Sequence, residues 1–141
     1  MSVYFDASVL LPTLIKEQAS AAVDAYVLAG GQEFLVSDFA AAEVASGLSR
    51  LVRMRLLEAA TAVARLDDFD AWRATATSPV DVHAVDVRLG YIYVRRFDLM
   101  LRAPDALHLA IARRLDATLV TLDRRLATAA KELGIMVEAL A

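Results

Sequence analysis

Residues 104–123 read PDALHLAIARRLDATLVTLD. The first part sets Ala, Leu and Ile behind Pro104, a residue suited to the first position of a helix. Asp105 then falls in the first turn, where the helix dipole favours an acid. The second part, TLVTL at 118–122, is a short apolar run of the kind that forms a buried strand. Helix passing directly into buried strand is one half of a β–α–β unit. Yet Asp105 and Asp123 stand at either end of this core segment, where a charge is costly unless something pairs with it.

Working outward, the same alternation recurs. VYF (3–5) reads as a strand that closes on Asp6, and a helical region with Pro12 early in it follows. An Ala-rich helix over Ala19–Ala29 is stopped by Gly30-Gly31, and FLVS (34–37) reads as a second strand. From Asp38 a long helix carries Ala41, Val44, Ala45, Leu48, Leu51 and Val52 at core spacing. A further helix spans 56–74 up to the Ser78-Pro79 break, VDV (80–82) reads as a third strand, and a helix runs through Tyr93. After TLVTL come a helix over Arg124–Leu133, its stop at Gly134, and a last strand in IMVEAL. Strands alternating with helices predict a parallel sheet with helices on both faces.

Composition bounds the rest. The 141 residues are 58 % apolar and 23 % charged, which suits one folded domain over residues 1–141 rather than a disordered chain. The N-terminus lacks a basic lead and has an acid in its apolar run, so neither a signal peptide nor a membrane span is expected. With no cysteine, disulfides, Cys-ligated zinc and thiol catalysis are excluded; a reducing cytoplasm suits such a chain. The net charge of −3 argues against coating nucleic acid by charge alone. Thirteen of the fifteen basic residues are Arg, the better bidentate phosphate contact. The cluster Arg95, Arg96 and Arg102 is a candidate backbone contact beside the bland reading of solvated helix faces.

Ligands of open parallel sheets bind beyond the carboxyl ends of the strands. Asp6 follows the first strand directly and Asp123 follows TLVTL, so both belong to that rim. Glu43 lies about a turn and a half into the helix after the second strand, among the small neighbours Ala40, Ser46 and Gly47; alone it also reads as an exposed acid on a polar helix edge. Asp105 alone reads as an ordinary first-turn acid. Together the four converge on one edge, and converging carboxylates repel unless a cation neutralises them. All-oxygen ligands suit Mg²⁺ or Mn²⁺, whereas the lack of Cys and only two His disfavour zinc. Such a site can activate water against a phosphodiester. Asp116 precedes a strand and so falls on the opposite rim. Asp98 reads as a turn or cap residue, Asp67, Asp68 and Asp70 as a solvated patch, and His108 as a packed or capping residue rather than a general base.

The motifs YFDASVLLP, AAEVASGLSR, APDALHLAIA and TLVTLDRRL, in that order, resemble PIN-domain ribonucleases, most nearly the VapC toxins of bacterial toxin–antitoxin pairs. The resemblance runs from Val3 to about Val137. It implies a PIN-like three-layer α/β/α sandwich around a central, mainly parallel twisted sheet of four to five strands. It implies Asp6, Glu43, Asp105 and Asp123 as the catalytic, metal-binding acids, some of them acting through water, with Ser8 as a secondary polar contact. It further implies a Mg²⁺- or Mn²⁺-dependent endoribonuclease acting on RNA, silenced by a cognate antitoxin and usually dimeric. The apolar helices over residues 39–74 would supply the dimer or antitoxin surface. A housekeeping RNA-processing nuclease and an inactive PIN module used as a scaffold are the alternatives. A phosphoryl-transfer switch fits less well, because Ser8 stands where a second acid would be needed and the only lysines, Lys16 and Lys131, are poorly placed. Nucleotide-binding folds lack their glycine-rich loop here.

Overall fold

The computed structural model of the chain describes residues 1–140. Five strands, β1 (Ser2–Phe5), β2 (Glu33–Ser37), β3 (Ser78–Val80), β4 (Thr118–Thr121) and β5 (Val137–Ala139), form one sheet in the order β3-β2-β1-β4-β5. Every pairing is parallel. The connections are α1 (Ala7–Leu14) and α2 (Ser20–Ala29), α3 (Asp38–Arg53) and α4 (Ala59–Ala76), α5 (Ala84–Val94) and α6 (Ala103–Leu115), and α7 (Arg124–Glu132). A 3₁₀ turn at Phe97–Leu99 sits between α5 and α6.

Successive side chains of the central strands go to opposite cores. Tyr4, Leu35 and Leu119 pack with α5, α6 and α7, while Val3, Phe5, Phe34, Val36 and Val120 pack with α1 to α4. Burial on both faces explains why the strands read as unbroken apolar runs instead of alternating ones. The expected three-layer α/β/α sandwich is what forms, with a wholly parallel sheet of five strands.

Several boundaries differ from the sequence expectation, each for a local reason. The third strand is Ser78–Val80 rather than 80–82, so Pro79 lies inside it, paired with Val36. β3 is an edge strand with a ladder on one side only, the place in a sheet where proline is tolerated. α4 starts at Ala59, not at 56, because Arg55 ends the preceding helix in a left-handed conformation (φ 58°). Pro12 lies sixth in the eight-residue α1 rather than early in it. Pro104 takes the second position of α6, behind Ala103.

α5 and α6 are fastened by a charge pair. Asp86, 1 % exposed, takes the Arg114 guanidinium in a fork, Nε to Oδ1 at 2.7 Å and Nη2 to Oδ2 at 3.0 Å, and accepts the His83 N–H at 2.8 Å. Burial alone would raise this carboxyl, but the hydrogen bonds and charge of Arg114 outweigh it and hold it below its ordinary value. The two helices lie close at Gly90, where a Cβ would make an ordinary contact at 3.5 Å with the Ala106 backbone.

Among the described residues one buried side-chain polar atom is unsatisfied. The Tyr93 hydroxyl has no hydrogen-bond partner among the described residues, and an orphaned buried group of this kind costs about 1–3 kcal/mol. Tyr93→Phe is therefore expected to melt at the same temperature as the parent or higher, against the usual direction for a core substitution. A drop of several degrees in a calorimetric melt would show that the hydroxyl has a partner.

Candidate active site

Because all strands run the same way, the ends of β1, β2 and β4 share one rim. α6 leads into the opposite end of β4, so its N-terminus also returns to that rim. Asp6, the start of α3, the first turn of α6 and Asp123 are thereby assembled from segments spread between residues 6 and 123. Asp116 caps the other end of α6 and lies on the far rim, as its position before a strand requires.

Asp6 is the buried centre, 4 % exposed at the N-cap of α1. Ser8 Oγ donates to its Oδ1 at 2.6 Å, Thr121 Oγ1 to its Oδ2 at 2.6 Å, and the Val9 N–H reaches Oδ1 at 3.4 Å. Burial pushes its carboxyl above the ordinary value; the two hydroxyls, the His108 ring and the Val9 N–H oppose that without cancelling it. Ser8 Oγ also accepts the Leu122 N–H at 3.0 Å and Thr121 Oγ1 accepts the Asp123 N–H at 3.0 Å. Ser8 therefore clamps β1 to the end of β4 instead of presenting a free hydroxyl at the rim. Thr121 is its counterpart from β4.

The other three acids are held by one oxygen each. Asp123 Oδ1 caps α7, accepting from Arg125 N at 2.9 Å and Leu126 N at 3.2 Å. Asp105 Oδ2 accepts the Arg102 N–H at 3.2 Å, with the Arg102 Nε at 3.8 Å. Glu43 Oε1 is bonded to His108 Nε2. The second oxygen of each has no hydrogen-bond donor among the described residues. Local hydrogen bonds thus fix one oxygen of each of the three carboxylates and leave the other acceptor unpartnered.

His108 does more than pack. It is 3 % exposed; its Nδ1 lies 2.7 Å from the Tyr4 hydroxyl, which lies 2.8 Å from Ser37 Oγ. Burial drives the Tyr4 phenol well above its ordinary value, so it stays protonated. Among the candidate cations, Arg96 is engaged by Asp98 in a two-point contact at 3.0 and 2.8 Å, which fixes Asp98 as a surface pairing residue. Arg95 lies over the Tyr91 ring at 5.7 Å. Arg102, its side chain 86 % exposed, makes only a loose 3.8 Å pair with Asp105.

The acids fit a hard divalent cation in kind. Their donors are oxygen throughout, the buried one lacks a full countercharge, and the other three offer an open oxygen. As the side chains stand, no three His, Asp or Glu among the described residues gather closely enough to hold an ion directly. Mg²⁺ needs no such cage, since it keeps several waters and takes one or two carboxylates.

The PIN domain family model matches residues 3–132. No curated protein sequence matches the chain. Among solved structures, VapC20 of Mycobacterium tuberculosis, described as a sarcin–ricin loop cleaving toxin, superposes with a TM-score of 0.73 at 17 % identity, covering 90 % of this chain and 94 % of that one. DNA-bound VapBC from Salmonella typhimurium gives 0.71 at 12 % identity over 100 % and 99 %. VapBC2 from Rickettsia felis, bound to a fragment of its promoter, gives 0.68 at 16 % over 99 % and 98 %. At these identities the likeness is one of fold.

Proposed function

The chain belongs to the PIN domain family, and on that premise we propose that it is a metal-dependent endoribonuclease, the toxin of a type II toxin–antitoxin pair. The observation that carries this reading is the set of four carboxylates brought to one rim from four separate segments, three of them with an oxygen left open. Family membership supports a nuclease, and the VapBC complexes among its structural neighbours support an antitoxin partner.

When bound, Mg²⁺ or Mn²⁺ at this rim would neutralise charge on the scissile phosphate and lower the pKa of a water. Asp6, Asp105, Asp123 and Glu43 would hold the cation, in part through water. Ser8 and Thr121 keep the Asp6 carboxylate aimed, and Glu43 orients the attacking water. Arg102 and Arg95 would meet the RNA backbone; Arg96, engaged by Asp98, contributes less. A homodimer in the cytoplasm completes the reading. No helix among the described residues is long and apolar enough to cross a membrane. The expected partner surface over residues 39–74 contributes the exposed Met54, Leu56 and Val63, but the segment on and after α5 exposes more large apolar side chains, Val85, Val87, Tyr91, Ile92, Phe97 and Met100.

The test is expression without a partner together with cleavage in vitro. The parent should slow bacterial growth, and the purified protein should cut single-stranded RNA with Mg²⁺ or Mn²⁺ and not with EDTA. Growth arrest that survives Asp123→Asn unchanged, or cleavage indifferent to EDTA, would sink the proposal.

A further inference from the structure

We infer that Ser37, Tyr4 and His108 form a positioning relay that aims the Glu43 carboxylate at the site, an inference that rests on the nuclease reading above. His108 itself is disqualified as a general base by its surroundings. Both ring nitrogens are already bonded, Nδ1 to Tyr4 Oη at 2.7 Å and Nε2 to Glu43 Oε1. The rings of Tyr4 and Phe39 lie 5.7 and 5.4 Å from the imidazole, and the residue is 3 % exposed. A base must reach the proton it takes, directly or through one water; this one has no free nitrogen to do so.

The hydrogen-bond inventory fixes what the relay does. Ser37 Oγ accepts the Ala40 N–H at 3.0 Å and can donate to Tyr4 Oη. The Tyr4 hydroxyl then donates to His108 Nδ1, which leaves the ring proton on Nε2, donated to Glu43. If the ring carries both protons, the chain runs backwards: Nδ1–H to Tyr4 and Tyr4 O–H to Ser37, with Nε2–H still on Glu43. In either state Glu43 is an acceptor on Oε1, and its Oε2 keeps one direction. The relay also joins the elements that carry the acids: Tyr4 is two residues before Asp6, Ser37 caps the helix of Glu43, and His108 is three residues after Asp105 on α6.

Substitutions that separate the two ring nitrogens test this. The amide nitrogen of Gln reaches the position of Nε2, whereas Asn reaches only that of Nδ1. On a mixed-sequence single-stranded RNA oligonucleotide, His108→Gln should keep kcat within a few-fold of the parent. His108→Asn should lose about 10- to 100-fold in kcat, the range found when partners behind a metal ligand are removed, with KM nearly unchanged. Tyr4→Phe, like His108→Gln, keeps the donor to Glu43 and loses the Tyr4 bond, so it should lose a few-fold in kcat, and it carries the test if His108→Asn does not fold. Equal kcat for the Gln and Asn variants, or a parental kcat in Tyr4→Phe, overturns the relay. A parent protein that cuts no RNA overturns the nuclease reading instead. The relay is then judged by Mn²⁺ titration of the same proteins: weaker binding in His108→Asn than in His108→Gln supports it, and equal binding overturns it.

Discussion

Asp6→Asn should cut RNA roughly 10²- to 10⁴-fold more slowly than the parent, the range over which one positioned acid–base or electrostatic group moves a rate, and yet melt higher in EDTA. The two effects have one cause. Burial raises the Asp6 carboxyl above its unfolded value. A carboxyl raised in this way contributes stability below the unfolded pKa and loses it as pH rises through the folded one. At neutral pH the metal-free protein therefore carries the cost of a buried charge. Asn removes the charge and keeps the shape, and each kcal/mol of relief is worth about 3 °C in a chain of this size. Acidification should narrow the gap, and millimolar Mg²⁺ or Mn²⁺ should raise the parent's Tm more than the variant's. Asp105→Asn and Asp123→Asn should lose comparable activity and Glu43→Gln somewhat less, while Asp116→Asn on the far rim stays close to parental. Asp105→Asn should not gain stability, because its carboxylate supports the first turn of α6 and an acid there is worth about 0.3–1 kcal/mol. A less stable Asp6→Asn, or full activity in any of the first three variants, would show that the acids do not act together.

Arg114→Met should produce the largest loss of stability among these substitutions. Removing one partner of a wholly buried ion pair costs about 3–5 kcal/mol, because the other charge is left without compensation. Arg114 is 24 % exposed, so water can relieve part of that, and we expect about 2–3 kcal/mol, or roughly 6–9 °C in Tm. The pH dependence identifies the mechanism. In the parent the Asp86 carboxyl is depressed, so its contribution is present above the ordinary carboxylate pKa of ~4 and lost as pH falls through the lower folded value. In the variant the same group is raised by burial, so its cost grows as pH rises from that point. Parent and variant should therefore converge below about pH 4 and separate above it. A difference constant with pH would assign the loss to packing of the Arg114 stem instead.

The acids were legible in the sequence because each lies where chain direction alone decides its rim: Asp6 and Asp123 follow strands, and Asp105 opens a helix that returns to the same edge. Of the hydroxyls behind them, only Ser8 was. Thr121 and Tyr4 sit in strands where β-branched and aromatic residues are expected for packing alone, and Ser37 reads as an ordinary N-cap. The signal that was available is the phenol of Tyr4 within the buried run VYF, since a buried hydroxyl must find a partner. His108 could be placed on the helix face of Asp105 from spacing, but its bond to Glu43, 65 residues earlier, depends on how α3 and α6 pack. Boundaries failed where one residue departed from its usual habit, as with left-handed Arg55 and with Pro79 inside an edge strand.

The central position of β1 governs when the acidic rim can assemble. β1 is flanked by β2 on one side and by β4 on the other, and the bond from Thr121 to Asp6 closes a loop of 115 residues. Contacts so distant along the chain are made late, because the entropy of closing the loop precedes any reward. During synthesis, at about 5–20 residues per second, β1 leaves the ribosome on the order of 6–20 s before β4 can join it. Until then Asp6 has neither Thr121 nor Asp123 beside it. A nascent chain therefore holds a sheet without β4, and the acidic rim is completed only after nearly the whole domain has emerged.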